Sequence, residues 1–531
     1  MSTDSRNAFD LRPLLSPAEA VSGLKGLERE ALRVTPEGRI ARTPHPAALG
    51  SALTHPAITT DYSEALLEFV TAPHAGAAEV LEELRQLEAF AARSIGDELL
   101  WVTSMPCFID DPATIPIARY GSSNAGRMKH LYRVGLSHRY GSGMQVIAGI
   151  HFNYSYPESL WTPLLAARGL SVSRAERDRA LMGVVRNVQR HGWMLLYLFG
   201  ASPAICPSFT AERPCWLKSL PNGALVAPNG TSLRLSDIGY KNRHQAYLSV
   251  STNSLDEYVA DLTRALATED PAYAEIGVRD GAEWKQLSTA ILQIENEYYG
   301  LVRPKARPRL AERPSVTLAR EGIRYVEVRA LDIDPTTPLG IGEETMRFLE
   351  LFMWFCLLAP SPPLGAGDRL EINYNQRNVA ARGREPGLKL CRNGGEQSLR
   401  DWGHELCEQL AATAAHFDTG LTGRPYTTAL ELATARFDAP GLTPSAQALV
   451  DIAETPKGFL AWALARSRGL TRVLREIDLP EALRAQLEQT AADSLAKQRA
   501  MEMADRESFE DYLARYYEGG GLTAGKRTAA G

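Results

Sequence analysis

Alternating apolar and polar positions mark the first elements of this chain. Residues 27 to 42 read as a hairpin: Leu27 to Val34 extended, a Thr35-Pro36-Glu37-Gly38 turn, then Arg39-Ile40-Ala41. Pro and Gly fall where a type I turn uses them. From 144 to 155, Met144, Val146, Ala148, Ile150, Phe152 and Tyr154 make one apolar face. Gln145, Ile147, Gly149, His151, Asn153 and Ser155 make the other, which predicts a strand with one face in the core. Leu66 to Thr71 fits a strand better than a helix, because Phe69, Val70 and Thr71 are β-formers. Ile323 to Leu331 predicts a further strand. Helical spacing runs through 76–98, with Val80, Leu81, Leu84, Leu87 and Phe90 on one side. Segments 174–200, 253–269 and 342–359 also read as helices, and from about 397 to 517 helix patterns dominate. The expected fold class is α+β, as one large domain over 1–518. Its sheet core spans about 20–335 and its helical region about 340–518, and a disordered tail covers 519–531.

Length alone, 531 residues, allows several domains at roughly 150 residues each, but no internal repeat is visible. Lys and Arg number 58 against 63 Asp and Glu, a net charge of −5. That balance argues against nucleic acid or an anionic membrane as partner and still permits a local basic pocket. Met1 to Arg12 carries no apolar signal-peptide core. The apolar runs Trp193–Phe199 and Leu351–Ala359 fall short of the ~20 residues that span a bilayer, and read as buried helices. Six cysteines without a C-x-x-C pair suggest reduced thiols and a cytoplasmic protein.

One motif is a decoy. Gly520 to Lys526 matches G-x-x-x-x-G-K, but Arg527 stands where a phosphate loop needs Ser or Thr, and no strand precedes it. The acidic residues are more informative. On a strand, Glu28 and Glu30 share one face, opposite Leu27 and Ala31. Adjacent like charges repel unless a cation sits between them; a solvated face flanked by Arg29 and Arg33 is the plainer alternative. Asp61 and Glu68 lie near apolar neighbours that would tend to bury them, and buried carboxylates need a partner or a metal. His151, Asn153 and Gln145 share a polar strand face on which Gly149 leaves room for a ligand. Glu327 and Arg329 share another face, either as a salt bridge or as a metal ligand beside a phosphoryl-stabilising guanidinium.

Taken together these segments resemble a known family. Gly26-Leu27-Glu28-Arg29-Glu30, Ile58-Thr59-Thr60-Asp61, Leu66-Leu67-Glu68-Phe69, Leu131-Tyr132-Arg133, Ser232-Leu233-Arg234-Leu235 and Glu327-Val328-Arg329, in this order, are similar to the proteobacterial type of glutamate–cysteine ligase. The resemblance implies a curved, mainly antiparallel sheet forming a funnel like that of glutamine synthetase. It also implies ATP-dependent joining of the γ-carboxylate of L-glutamate to the amine of L-cysteine through a γ-glutamyl phosphate, the first step of glutathione synthesis. By matching positions it implies metal binding by Glu28, Glu30, Asp61, Glu68, His151 and Glu327. Two or three Mg2+ ions are expected, with Mn2+ able to substitute. Glu327 and Arg329 become the catalytic residues, with Arg329 also meeting the nucleotide. Tyr132, Gln145, Arg234, Tyr240 and Tyr299 become the cysteine site, with Arg234 on its carboxylate. Asn153 is a member of the glutamate pocket. A cytoplasmic monomer is expected. The alternatives are another ATP-dependent glutamate–amine ligase and an inactive nucleotide- or metal-binding relative.

Overall fold

Seven antiparallel strands form the central sheet of the computed structural model, which describes residues 11–210, 217–239, 248–307 and 312–519. They are β1 (Leu24–Val34), β2 (Ile58–Thr60), β3 (Leu66–Val70), β4 (Leu99–Leu100), β5 (Ile150–Ser155), β6 (Val302–Lys305) and β7 (Tyr325–Leu331). The spatial order is β6-β7-β5-β1-β3-β2, with β4 pairing the far end of β1. The hairpin forms as expected: Gly38 N–H donates to Thr35 O at 2.9 Å, and Val34 bridges Ile40.

One strand prediction needs correction. Gly143–Val146 is a 3-10 turn and extension begins only at Ile150, so Gln145 does not share the face of His151. Pairing with β1 ends at Ile150 and one further hydrogen bond, from Glu30 N–H to Gly149 O at 3.1 Å. The predicted helix at 174–200 is two, Arg174–His191 and Trp193–Phe199, parted at Gly192. Helices Ala77–Ser94, Leu255–Ala267 and Glu343–Leu358 lie where the spacing put them. From Leu399 to Tyr517 six α-helices follow one another.

Period two sorts β1 cleanly. Leu27, Arg29 and Ala31 face the core, where Arg29 Nε stands 3.1 Å from Glu88 of the helix Ala77–Ser94, both side chains fully buried. A charged pair thus sits on the apolar side, contrary to the solvated-face alternative for Arg29. Lys25 Nζ reaches Glu350 at 2.7 Å on the apolar helix Glu343–Leu358, and Tyr154 and Tyr426 hydroxyls donate to the same carboxylate. The Lys25–Glu350 pair is hydrogen-bonded, as buried charges ordinarily are, whereas the Arg29–Glu88 pair makes no hydrogen bond among the described residues. The helical region is bound to the sheet side elsewhere too. Leu100 N–H donates to Thr471 Oγ1 at 3.0 Å, and Ser51 N–H to Ser494 Oγ at 2.9 Å. No described helix is long and apolar enough to cross a membrane. Cys107, Cys206, Cys356, Cys391 and Cys407 are free thiols. Cys215, Tyr240, the Gly520–Lys526 decoy and the rest of the expected tail lie outside the described residues.

Candidate active site

Antiparallel register places the acidic side chains on one face. Glu28 stands opposite His151 of β5, and Glu30 opposite Glu68 of β3. Glu327 of β7 stands opposite Asn153 of β5 and Arg303 of β6. Residues directly opposed across a ladder share a face, so five strands deliver these groups to the same side. Asp61 enters from the turn after β2, where its N–H donates to Leu66 O at 3.0 Å.

The side chains converge on His151. Its Nδ1 is 3.0 Å from Glu28 Oε2 and 4.0 Å from Glu327 Oε1, and its Nε2 is 3.8 Å from Glu30 Oε1. Glu28, His151 and Glu327 each offer one ligand atom, all within 4.8 Å of one another. His151 Nε2 and Glu327 Oε2 are buried with no hydrogen-bond partner among the described residues. Orphaned buried acceptors of this kind, on carboxylates and an imidazole, fit divalent ions.

Cations ring the acids. Lys305 Nζ and Arg329 Nη1 lie 3.2 and 3.3 Å from Glu327 Oε1. Arg133 Nη2 lies 3.8 Å from Asp61 Oδ1. Burial opposes the charge on Glu327, yet Lys305 and Arg329 outweigh it and hold the carboxyl well below its usual range. Burial and the Glu327 charge work against ionised Glu28, but the His151 hydrogen bond and Lys305 leave it lowered. Burial and Asp61 push Glu30 up to about 8, against the pull of Arg234 and Arg329. Burial, then Glu28 and Asp61, raise Glu68 well above the carboxylate range. Burial and Arg329 lower His151, leaving a neutral imidazole that can donate a lone pair. Two carboxyls that resist ionisation beside two that do not make a site short of positive charge, which divalent ions would supply.

These groups line a cavity of about 610 Å³. Glu28, Glu30, Asp61, Glu68, His151, Glu327 and Arg329 are all in its wall. So are Tyr132, Gln145, Arg234 and Tyr299, although Gln145 arrives from the 3-10 turn and not from a strand. Asn153 is absent from the wall; its Nδ2 donates to Glu28 Oε1 at 3.0 Å and orients that carboxylate from the side. The room expected beside Gly149 is taken: a Cβ there would stand 2.2 Å from the Arg234 guanidinium. Gly149 instead gives its N–H to Glu30 Oε2 at 2.6 Å. Arg234 donates to the carbonyls of Arg329 and Leu331, each at 3.2 Å.

Sequence reasoning passed over four cations in this wall, Lys129, Arg133, Arg303 and Lys305. Lys129 and Arg133 are four residues apart on the helix Asn124–Tyr140, a same-face spacing that was available to read. Arg303 and Lys305 share the period-two face of β6, disguised by Pro304 between them.

A cavity with buried carboxylates on one sheet face and guanidinium and ammonium groups around them suits an anionic ligand held together with divalent ions. The comparisons with known proteins make the class specific. Residues 16–379 match the family model described as glutamate-cysteine ligase. A glutamate–cysteine ligase of Alcanivorax borkumensis is 45% identical over 507 residues, covering 94% of this chain and 97% of that one. One from Azotobacter vinelandii is 47% identical over 497 residues, covering 93% and 94%. Among solved structures, the glutamate–cysteine ligase of Francisella tularensis in complex with AMP matches with a TM-score of 0.88 at 36% identity, covering 94% of this chain and 98% of that one. A bifunctional glutathione synthetase from Pasteurella multocida shares the fold, with a TM-score of 0.67 at 21% identity over 90% of this chain and 56% of that one. This chain belongs to the glutamate–cysteine ligase family. The activity of that family is ATP-dependent synthesis of γ-glutamylcysteine.

Proposed function

We propose that this enzyme forms γ-glutamylcysteine through an acyl phosphate, on a funnel-shaped sheet face like that of glutamine synthetase. The observation that carries this reading is the convergence of Glu28, His151 and Glu327 within 4.8 Å, with Arg329 alongside. The AMP held by the Francisella tularensis relative supports the use of a nucleotide.

The chemistry explains the residue types. An oxygen of the glutamate γ-carboxylate attacks the γ-phosphorus of ATP, and the bond to ADP breaks. Both partners are anionic, so repulsion opposes the approach. Glu28, Glu30, Asp61, Glu68, His151 and Glu327 are the side chains that would hold two or three Mg2+ ions, or Mn2+, which neutralise the phosphate oxygens when bound. His151 is the softest of these ligands and the one that favours Mn2+. Arg329 meets the transferring phosphoryl group with a planar fork of donors. Lys305 and Arg303 extend that positive rim. The cysteine amine then attacks the acyl carbon, phosphate leaves, and the amine proton passes to solvent or phosphate.

Tyr132, Tyr299 and Gln145 shape the cysteine site, with Arg234 toward the substrate carboxylate; Tyr240 is proposed for the same wall from the sequence alone. Asn153 belongs to the glutamate side through its hold on Glu28. The contacts of Lys25 with Glu350 and of Ser51 with Ser494 support one catalytic domain for sheet and helices together. A cytoplasmic monomer acting on small molecules is the reading that the family resemblance and the cysteine usage suggest.

The test is ADP release with glutamate and each of the twenty amino acids in turn, magnesium present. The expected result is a sharp maximum at cysteine, with weak reaction of small analogues, since one missing group is worth only ~1–3 kcal/mol. A higher kcat/KM with another amine would replace the substrate assignment.

A further inference from the structure

Asp332, the residue after β7, stands behind the cavity wall and not in it, and is only 3% exposed. A buried carboxylate needs several partners, and this one has them. Ser202 Oγ donates to its Oδ2 at 2.6 Å, Ala201 N–H to the same oxygen at 2.9 Å, and Ser232 Oγ to its Oδ1 at 2.9 Å. Arg234 Nη1 lies 3.9 Å from Oδ1, with both side chains buried. No step of the proposed chemistry uses this acid.

An ionised carboxylate only accepts, so it sets the direction of both hydroxyls. Each points its proton at Asp332 and keeps its lone pairs for the backbone. The 2.6 Å bond from Ser202 prevails over its 3.4 Å contact with Ser232 Oγ. Ser202 Oγ then accepts Arg234 N–H at 3.4 Å, and Ser232 Oγ accepts Leu235 N–H at 3.2 Å. The main chain at Arg234 is thereby tied to the end of β7. Its guanidinium is tied to the same strand through the carbonyls of Arg329 and Leu331, where β7 shifts register against β5. Ser104 joins the far side of the arrangement. Its Oγ accepts Ile333 N–H at 2.8 Å, and its carbonyl accepts Ala148 N–H at 2.9 Å, beside the glycine over which the guanidinium lies.

We propose that Asp332 is a positioning residue for Arg234: through Ser202 and Ser232 it fixes where the guanidinium meets the carboxylate of the acceptor amino acid. The assignment rests on the reading of Arg234 as the ligand of that carboxylate, and adds what holds it in place. A fork of N–H donors meets a carboxylate well in one plane only, so a small displacement of Arg234 weakens the pair. The reacting amine sits on the same carbon as the carboxylate, so a displaced guanidinium also displaces the amine from the acyl carbon. An acceptor with no carboxylate is indifferent to both effects.

That indifference supplies the test. 2-Aminoethanethiol is cysteine without its carboxylate; its kcat/KM, and its Ki as a competitor of cysteine, are read beside kcat/KM for cysteine on the full chain. Asp332→Asn keeps the size and turns one acceptor into a donor, so one hydroxyl loses its direction. The expected result is kcat/KM for cysteine lowered about tenfold to thirtyfold, mainly through KM. The constants for 2-aminoethanethiol, and KM for glutamate and ATP, should stay within about twofold. Ser232→Ala removes one of the two hydroxyls and leaves the charge, and should lower kcat/KM for cysteine selectively by about threefold; it carries the test if Asp332→Asn does not fold. Equal losses with both amines in these variants, or no loss, would overturn the proposal. Arg234→Lys checks the assignment on which it rests. A loss confined to cysteine there supports Arg234 as the carboxylate ligand, whatever Asp332→Asn does. Equal losses with both amines would take the carboxylate away from Arg234, and the role of Asp332 with it.

Discussion

Glu28 and His151 face each other across the β1–β5 ladder, and their side chains meet at 3.0 Å, Oε2 to Nδ1. The pairing joins segments 123 residues apart into one donor set. An imidazole among carboxylates shifts metal preference from magnesium toward manganese. His151→Asn should therefore lower the ratio of Mn2+-supported to Mg2+-supported activity. An unchanged ratio would remove His151 from the ligand set.

Glu68 lies across from Glu30 at the other side of β1. Burial and three nearby acids raise its pKa against the pull of Lys129, a cost that a bound cation would offset. Glu68→Gln should raise the magnesium concentration for half activity about threefold to tenfold, because a charged ligand is lost while size is kept. A magnesium titration superimposable on the wild type would make Glu68 structural.

Arg329 stands beside Glu327 and His151, at 3.3 Å from each. Lysine cannot reproduce its planar fork. Arg329→Lys should lower kcat by about a hundredfold to a thousandfold, with ATP KM within about threefold, as for loss of a group that acts on the transition state. Steady-state kinetics check it, and a variant with wild-type kcat would take Arg329 out of the chemistry.

His55 introduces a pH dependence in stability. Its Nδ1 accepts the N–H groups of Ala57 at 3.1 Å and Ile58 at 2.8 Å, which holds the start of β2 and requires a neutral ring nitrogen. Burial pushes its pKa down to about 4, against 6.5 ordinarily. Above pH 6.5 the ring is neutral in both states and its contribution is complete. As pH falls from 6.5 toward 4, the unfolded chain takes up a proton that the folded chain refuses, and stability is lost. Between pH 7 and 5 this amounts to about 2 kcal/mol. His55→Asn keeps an acceptor and cannot titrate, so its denaturant-unfolding free energy should fall about 2 kcal/mol less over that range than the wild type's. Equal slopes would contradict the assignment.

Much of the sheet was readable because side-chain alternation is a local signal. Leu27 to Val34, Leu66 to Val70 and Tyr325 to Leu331 extend as their patterns predict, and register then brings Glu28, Glu30, Glu68, His151 and Glu327 to one face. Where tertiary contact decides, the pattern misleads. Met144 to Ala148 alternates like a strand, but residues 143–146 turn in 3-10 form ahead of the pairing between Gly149 and Glu30. Gly149 is a glycine because Arg234, 85 positions later, occupies the place of a side chain, which no local window reveals. Arg29 and Glu88 form a fully buried charge pair on the apolar side of β1, where alternation favours apolar groups. Tyr512 reaches the cavity from a helix that reads only as an amphipathic C-terminal element.

On the proposed function, side chains from four strands gather divalent ions so that an anionic amino acid can attack a polyphosphate. Counting Mn2+ bound to the protein with ADP by electron paramagnetic resonance tests it most directly. Two or three tightly bound ions are expected in the wild type, and at least one fewer in Glu28→Gln or Glu327→Gln. A wild-type protein that binds no ion beyond those carried by free ADP, or variants with an unaltered count, would contradict it.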